Sequence, residues 1–261
     1  MISEQIKFHE NFGSAHLDTP RNVLVYLPPD YQHNSERRYP VLYMHDGQNL
    51  VNPQDAFGGV VWSVDETAQN LILSDQIEPL IIVGIYNSGD KRIDEYTPVR
   101  SIVGKMKGRG GKADNYGRMI IEELKPFIDK EYRTKPEREF TGLGGSSLGG
   151  LVSLHLGFKR PDVFSRLAVI SPAVWWANNQ IIREVALVGE RLPLRIWLDI
   201  GRREGARIKH QVRALKEILL ANGWRNNEDL AYFEFPEARH DESAWAARFG
   251  EVLKFLFPPM S

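Results

Sequence analysis

The pentapeptide Gly145-Ser146-Ser147-Leu148-Gly149 constrains this chain more than any other stretch. It stands between a β-type run, "EFTGLG" (139–144), and a helix-type run, "LVSLHLGF" (151–158). The pattern G-x-S-x-G between a strand and a helix puts a serine on a sharp turn, with its hydroxyl exposed. Such a turn holds the serine in a strained backbone conformation. The residues two before and two after it then pass too close to carry a Cβ. This sets the register. Centred on Ser147, the flanks are Gly145 and Gly149; centred on Ser146, they are Gly144 and Leu148, and the leucine would clash. Ser147 is the candidate nucleophile and Ser146 a supporting residue.

The surroundings suit such a turn. Short β-branched or aromatic runs recur at 22–28, 40–45, 80–86, 139–144, 166–171, 194–200 and 231–235. Several are apolar throughout, as expected of strands covered on both faces. Helical stripes alternate with them: Ile120, Leu124, Phe127 and Ile128; Ile208, Val212, Leu215 and Leu219; and Trp245, Phe249, Val252, Leu253 and Leu256. Alternation of this kind predicts an α/β fold, with a mostly parallel sheet of about eight strands flanked by helices. The first two runs precede any helix and are expected to pair antiparallel at one edge. A chain of 261 residues, 42% hydrophobic, is enough for one α/β domain spanning 1–261.

Composition excludes several other chemistries. There is no cysteine, which removes disulfides, thiol catalysis and Cys-based zinc sites. A net charge of -1 offers no basic excess for nucleic acid. No apolar stretch approaches a membrane span, and the N-terminus lacks a leader pattern, so a cytoplasmic protein is expected. The glycine cluster fails as a dinucleotide fingerprint because Ser147 stands at its third glycine position. The stretch "GKMKGRGGKAD" (104–114) fails as a P-loop, with Met106 at the first glycine position and Ala113 after the lysine. Neither a cofactor nor a metal is expected.

A serine nucleophile needs a base and an orienting acid, in the chain order Ser, acid, His for this kind of turn. His240, just past the last strand and just before the last helix, is the candidate base. His210 reads as solvated surface, and His45 precedes the serine and breaks the order. Two carboxylates compete for the acid. Glu204 lies on the loop beyond the strand 194–200, and Asp199 lies within that strand. Position favours Glu204, because open α/β sheets place their chemistry at the carboxyl ends of strands. The alternative role of Asp199 is to anchor the loop. The oxyanion donors are expected at the N–H groups of Leu148 and Gln48, with Gly47 as the fallback for the latter. Trp62, Trp175 and Trp176 suit aromatic acyl groups or sugar rings, with burial in the core as the alternative.

The segments "YLPPDY", "PVLYMHDGQN", "GGSSLGGLVSLHLGFKRPDVF", "ISPAVWW", "LDIGRREG" and "RHDESAW" together resemble the putative-esterase family of α/β-hydrolases. Feruloyl and acetylxylan esterases, enterochelin-type siderophore esterases, S-formylglutathione hydrolase and mycolyltransferases belong to it. The resemblance implies an α/β-hydrolase fold and a serine carboxylester hydrolase that acts on a small-molecule ester. It implies Glu204 as the acid, three residues after a glycine that closes its strand. It also implies Gln48 as an oxyanion donor and tryptophans of the "SPAVWW" element lining the site. Only about 18 residues separate that element from the next strand, too few for a large lid. An acyltransferase on the same residues, a siderophore-ester hydrolase and a silent binding module are the alternatives. Sequence does not indicate an oligomeric state.

Overall fold

The structure, a computed structural model, describes residues 5–102 and 104–259. Residues 1–4 of the N-terminal stretch read above lie outside the described residues. One eight-stranded sheet runs in the order β1-β2-β4-β3-β5-β6-β7-β8. Its strands are β1 (Ile6–Phe12), β2 (Arg21–Tyr26), β3 (Val41–His45), β4 (Ile81–Ile85), β5 (Thr141–Ser146), β6 (Arg166–Ile170), β7 (Arg195–Gly201) and β8 (Leu230–Phe235). β2 is antiparallel to both β1 and β4, and every pairing from β4 to β8 is parallel.

Two expectations are corrected here. β1 has no counterpart among the predicted runs: it is an edge strand of sequence IKFHENF with only Ile6 buried, so no apolar pattern marks it. The runs 22–28 and 40–45 do not pair with each other. All five residues of β3 are buried, and a strand covered on both faces belongs in the interior of a parallel sheet. β3 accordingly lies between β4 and β5, leaving β2 to pair with β1 and β4.

Helices cover both faces. On one face Val41, Tyr43, Leu143, Val169 and Leu198 pack with apolar residues of α5 (Leu148–Lys159), α6 (Gln180–Val188) and α7 (Ala206–Ala221). The predicted stripe of Ile120, Leu124 and Ile128 lies on this face too, after the short α2 (Arg92–Glu95), across a π-helical turn (Met119–Leu124) that joins α3 (Ala113–Arg118) to α4 (Lys125–Glu131). On the other face Leu42, Met44, Ile82 and Trp197 pack with α1 (Val64–Leu73) and α8 (Glu242–Leu256). Phe249, Val252, Leu253 and Leu256 of α8 are fully withdrawn from water, and each such burial contributes about 1.5–3 kcal/mol. Asp241 caps α8 by accepting from the Ala244 N–H at 2.9 Å, so the start of the helix is fixed next to His240. The loops after β3, β5, β7 and β8 all leave the sheet at its carboxyl edge. Among the described residues no helix is long and apolar enough to cross a membrane.

Candidate active site

Ser147 joins β5 to α5 with φ 57° and ψ −119°, a backbone conformation that L-residues rarely adopt. Such a conformation costs about 1–3 kcal/mol and persists only where neighbours enforce it. Here its N–H donates to the Ile170 carbonyl at 3.0 Å, and its carbonyl accepts from the Ala173 N–H at 2.9 Å. Contact leaves little room for a side chain at either flanking glycine. A Cβ on Gly145 would lie 3.1 Å from the His45 Cβ and 3.2 Å from the Gly149 Cα. One on Gly149 would lie 3.3 Å from the His45 Cβ. His45 is thus packed beneath the turn, its Nδ1 2.8 Å from the Tyr116 hydroxyl. Burial pushes the imidazole pKa down to about 3, so His45 stays neutral.

His240 reaches back from the loop between β8 and α8. Its Nε2 is 3.0 Å from the Ser147 Oγ and its Nδ1 is 2.7 Å from the Glu204 Oε2. The edge of Trp245 meets its ring, with centroids 4.9 Å apart. The Glu204 side chain is fully buried. Its Oε1 accepts from the Gly201 N–H at 2.8 Å and from the Ser171 hydroxyl at 2.6 Å. Burial alone would raise this carboxyl, but donors from His240, Ser171 and Gly201 outweigh it and hold Glu204 below the usual range. An ionised carboxylate only accepts, so the Nδ1 carries the proton and a neutral His240 presents Nε2 as an acceptor to the serine hydroxyl.

Asp199 is elsewhere. It is fully buried within β7 and accepts from Trp197 Nε1 at 2.7 Å, from Arg248 Nε and Nη2 at 3.0 Å each, and from the Ser171 N–H at 3.1 Å. Arg248 also donates to the Ser171 Oγ at 2.5 Å. A continuous path therefore runs from the Asp199–Arg248 pair through Ser171 to Glu204. Sequence reasoning missed Arg248, although a signal was present. It sits three residues after Trp245 and four before Val252 on the apolar face of α8, where an arginine must find a buried acid.

Leu148 heads α5, so its N–H has no partner within the helix. Gln48 lies in the tight turn after β3 and borders the same cleft as Ser147 and His240. That turn begins at Asp46, with φ 57° and ψ 44°. Asp46 is held by Arg92, which donates Nε and Nη2 at 2.7 Å each, and by Asn87 at 2.7 Å. Burial works against the Asp46 carboxylate, but Arg92 and Asn87 prevail and keep it low. Gly47 is needed for a close approach to β4. A Cβ there would stand 2.5 Å from the Gly84 carbonyl carbon of β4, not against Ser147.

The cleft at Ser147 has a volume of about 510 Å³ and is bordered by Phe57, Asn87, Arg92, Glu242 and Trp245 as well as His240. The three predicted tryptophans do not border it. Trp62 is buried, with its ring 6.0 Å from Trp245 and 5.9 Å from Phe249, one layer behind the cleft. Trp176 is buried and donates its Nε1–H to the Val99 carbonyl at 2.8 Å. Trp175 is 41% exposed and lines a separate pocket. Trp245 takes the place assigned to them, because the first turn of α8 starts directly beside His240. A serine, a neutral imidazole and a buried carboxylate in this order can deliver an alkoxide-like oxygen to an electrophilic carbon and return the proton to a leaving group.

A family model described as "Putative esterase" matches residues 14–256 of this chain. The chain is 27% identical over 255 residues to "Uncharacterized protein YbbA" of Bacillus subtilis, covering 94% of this chain and 95% of that protein. It is 30% identical over 129 residues to a "Siderophore enterobactin esterase" of Emericella nidulans, covering 46% of this chain and 42% of that protein. Among solved structures, one titled "ferulic acid esterase" superposes with a TM-score of 0.75 at 19% identity, covering 97% of each chain. That last likeness is one of fold.

Proposed function

This chain belongs to the "Putative esterase" family and is a carboxylic ester hydrolase, and we propose that it works through an acyl-enzyme on Ser147, with His240 as base and Glu204 as orienting acid. The observation that carries this reading is the unbroken path from Ser147 Oγ to His240 Nε2 at 3.0 Å and from His240 Nδ1 to Glu204 Oε2 at 2.7 Å. In the first step Ser147 Oγ bonds to the ester carbonyl carbon while its proton passes to Nε2. The carbonyl oxygen becomes an oxyanion facing the Leu148 and Gln48 N–H groups. Collapse breaks the ester C–O bond, and the imidazolium gives its proton to the departing alcohol. Water then repeats the sequence and frees the acid.

A cleft of about 510 Å³ fits a short acyl group or one aromatic ring. Esters of the kinds named for its relatives, siderophore and ferulic acid esters, are the first substrates to try alongside acetyl esters. A fluorophosphonate probe tests the chemistry directly. It should label the wild type at Ser147 and leave Ser147→Ala unlabelled. Labelling that survives this substitution, or an unlabelled wild type, would reject the reading.

A further inference from the structure

The two edges of the sheet are not alike. β1 is guarded as edge strands usually are: Lys7, His9 and Glu10 stand along it, and its register slips between His9 and Phe12. β8, of sequence LAYFEF, has no lysine, proline or bulge and keeps one register with β7 throughout. The Asp229 and Phe235 carbonyls accept from the N–H groups of Ile196 and Arg202, in and just past β7, at 2.7 and 2.9 Å. Main-chain groups alternate sides along a strand, so the odd-numbered residues of β8 serve β7 and the even-numbered ones face outward. Leu230 is already occupied: its N–H donates to the Arg225 carbonyl at 3.1 Å, and its carbonyl accepts from the Asn227 N–H at 2.8 Å. The N–H and C=O groups of Tyr232 and Glu234 have no partner among the described residues.

Side chains leave this edge open too. Phe233 is 43% exposed. Its ring stacks on Trp197 of β7 at 4.8 Å and lies 6.0 Å from that of Phe235, so an aromatic band runs out to the edge and stops in solvent. The one charge on the strand, Glu234, is neutralised within its own chain. Arg213 donates Nε and Nη2 to it at 2.5 and 2.7 Å, and the Tyr232 hydroxyl donates at 2.7 Å. Only one two-fold register matches every free main-chain group. Pairing Tyr232 with its own copy sets Glu234 against Leu230, whose groups are taken. Pairing Glu234 with its own copy sets two carboxylates opposite each other, and Tyr232 against Pro236, which has no N–H. Pairing Tyr232 with Glu234 matches them all and places the axis at Phe233.

We propose that a second copy of this chain docks on β8 about a two-fold axis at Phe233, continuing the sheet antiparallel into a symmetric dimer. Tyr232 exchanges main-chain hydrogen bonds with Glu234 of the partner subunit, and Glu234 with Tyr232 of the partner subunit. Phe233 then faces its own copy as a non-hydrogen-bonded pair, with Cα atoms about 4.5 Å apart. The aromatic band runs unbroken from one sheet into the other, and aromatic cross-strand pairs stabilise such a junction. The antiparallel crossing points the carboxyl edges of the two sheets in opposite directions, so each Ser147 keeps its own cleft. The dimer does not depend on the esterase reading.

Analytical ultracentrifugation of the full chain reads the association. A species of twice the 29.8 kDa chain mass should grow as concentration rises. Phe233→Lys, which sets two ammonium groups opposite each other, should stay monomeric while still melting cooperatively. The chain has no cysteine, so one introduced thiol reports the geometry of the pair. Under mild oxidation Phe233→Cys should form a disulfide-linked dimer, because the expected Cα separation lies within bonding range. Leu187→Cys, at a position 86% exposed on α6, measures chance collision, and Phe233→Cys should cross-link at least about tenfold faster than it. A wild type that stays monomeric at every concentration, a dimer that survives Phe233→Lys, or equal cross-linking of the two thiols would each overturn the proposal.

Discussion

The Ser171 hydroxyl donates to Glu204 Oε1 at 2.6 Å while its other side accepts from Arg248 at 2.5 Å. Ser171 is 1% exposed, so water cannot replace either bond. Its role is to position and ionise Glu204. The Glu204 carboxyl is held below its usual range, so its native-state stabilisation is present above the unfolded value of about 4.3 and lost as pH falls through the lower folded value. Above the usual carboxylate range Glu204 is therefore a constant anion. Ser171→Ala removes one donor and leaves a more basic carboxylate. The Glu204 carboxyl, followed by carbon NMR, should titrate higher than in the wild type by about one to two units, since a donor to a charged group is worth about 1.5–3 kcal/mol and one unit corresponds to about 1.36 kcal/mol. A lower rate with an unmoved carboxyl would mean that Ser171 only supports the fold.

Ser147→Ala should abolish ester hydrolysis. Ser146→Ala should retain measurable turnover, because Ser146 closes β5 and is buried whereas Ser147 carries the strained turn. Rates on acetyl esters for the two variants decide the matter. Full activity in Ser147→Ala would move the chemistry elsewhere.

Gly145→Ala tests the turn itself. The added methyl would meet the His45 Cβ at 3.1 Å and the Gly149 Cα at 3.2 Å. Both neighbours are anchored, so the strain should cost about 1–3 kcal/mol and displace Ser147. Thermal denaturation and kcat should fall together. An unchanged melting temperature with full activity would show that the turn has slack which these contacts do not allow.

The elbow was legible in the sequence because the physics there is local: a strained serine excludes Cβ atoms at two fixed positions, and only one register supplies both glycines. His240 followed from chain order and its place before the last helix. The central strands were legible because they are buried on both faces. β1 was not, because an edge strand with one buried residue carries no apolar pattern. The tryptophans misled for a related reason. An indole suits a core and a binding site equally, and Trp62 and Trp176 went to the core. Trp245, already placed on the apolar stripe of α8, borders the cleft because that stripe begins next to His240. The path through Ser171 and Arg248 joins β7, α8 and the segment after β6, a relation of tertiary contact that spacing alone does not encode.

The two carboxylates of β7 and its loop should separate in one experiment. Glu204 contacts His240 at 2.7 Å, and Asp199 contacts Arg248, Trp197 and Ser171 but not the imidazole. Glu204→Gln keeps the shape but can present an N–H where His240 needs an acceptor, which disfavours the working tautomer. The comparable change in serine proteases costs about 10⁴ in kcat, and a large loss is expected here with the fold intact. Asp199→Asn instead removes the charge opposite Arg248, which is 2% exposed. Breaking one side of a buried pair costs about 3–5 kcal/mol, or a drop on the order of 10 °C in melting temperature for a chain of this size. Its kcat should fall far less than that of Glu204→Gln, because the His240 contact survives. Measuring kcat and melting temperature for both variants gives four numbers. A large kcat loss with unchanged melting in Asp199→Asn, beside a nearly active Glu204→Gln, would reverse the roles. A modest kcat loss in both would reduce the machinery to Ser147 and His240, with Glu204 fixing the loop.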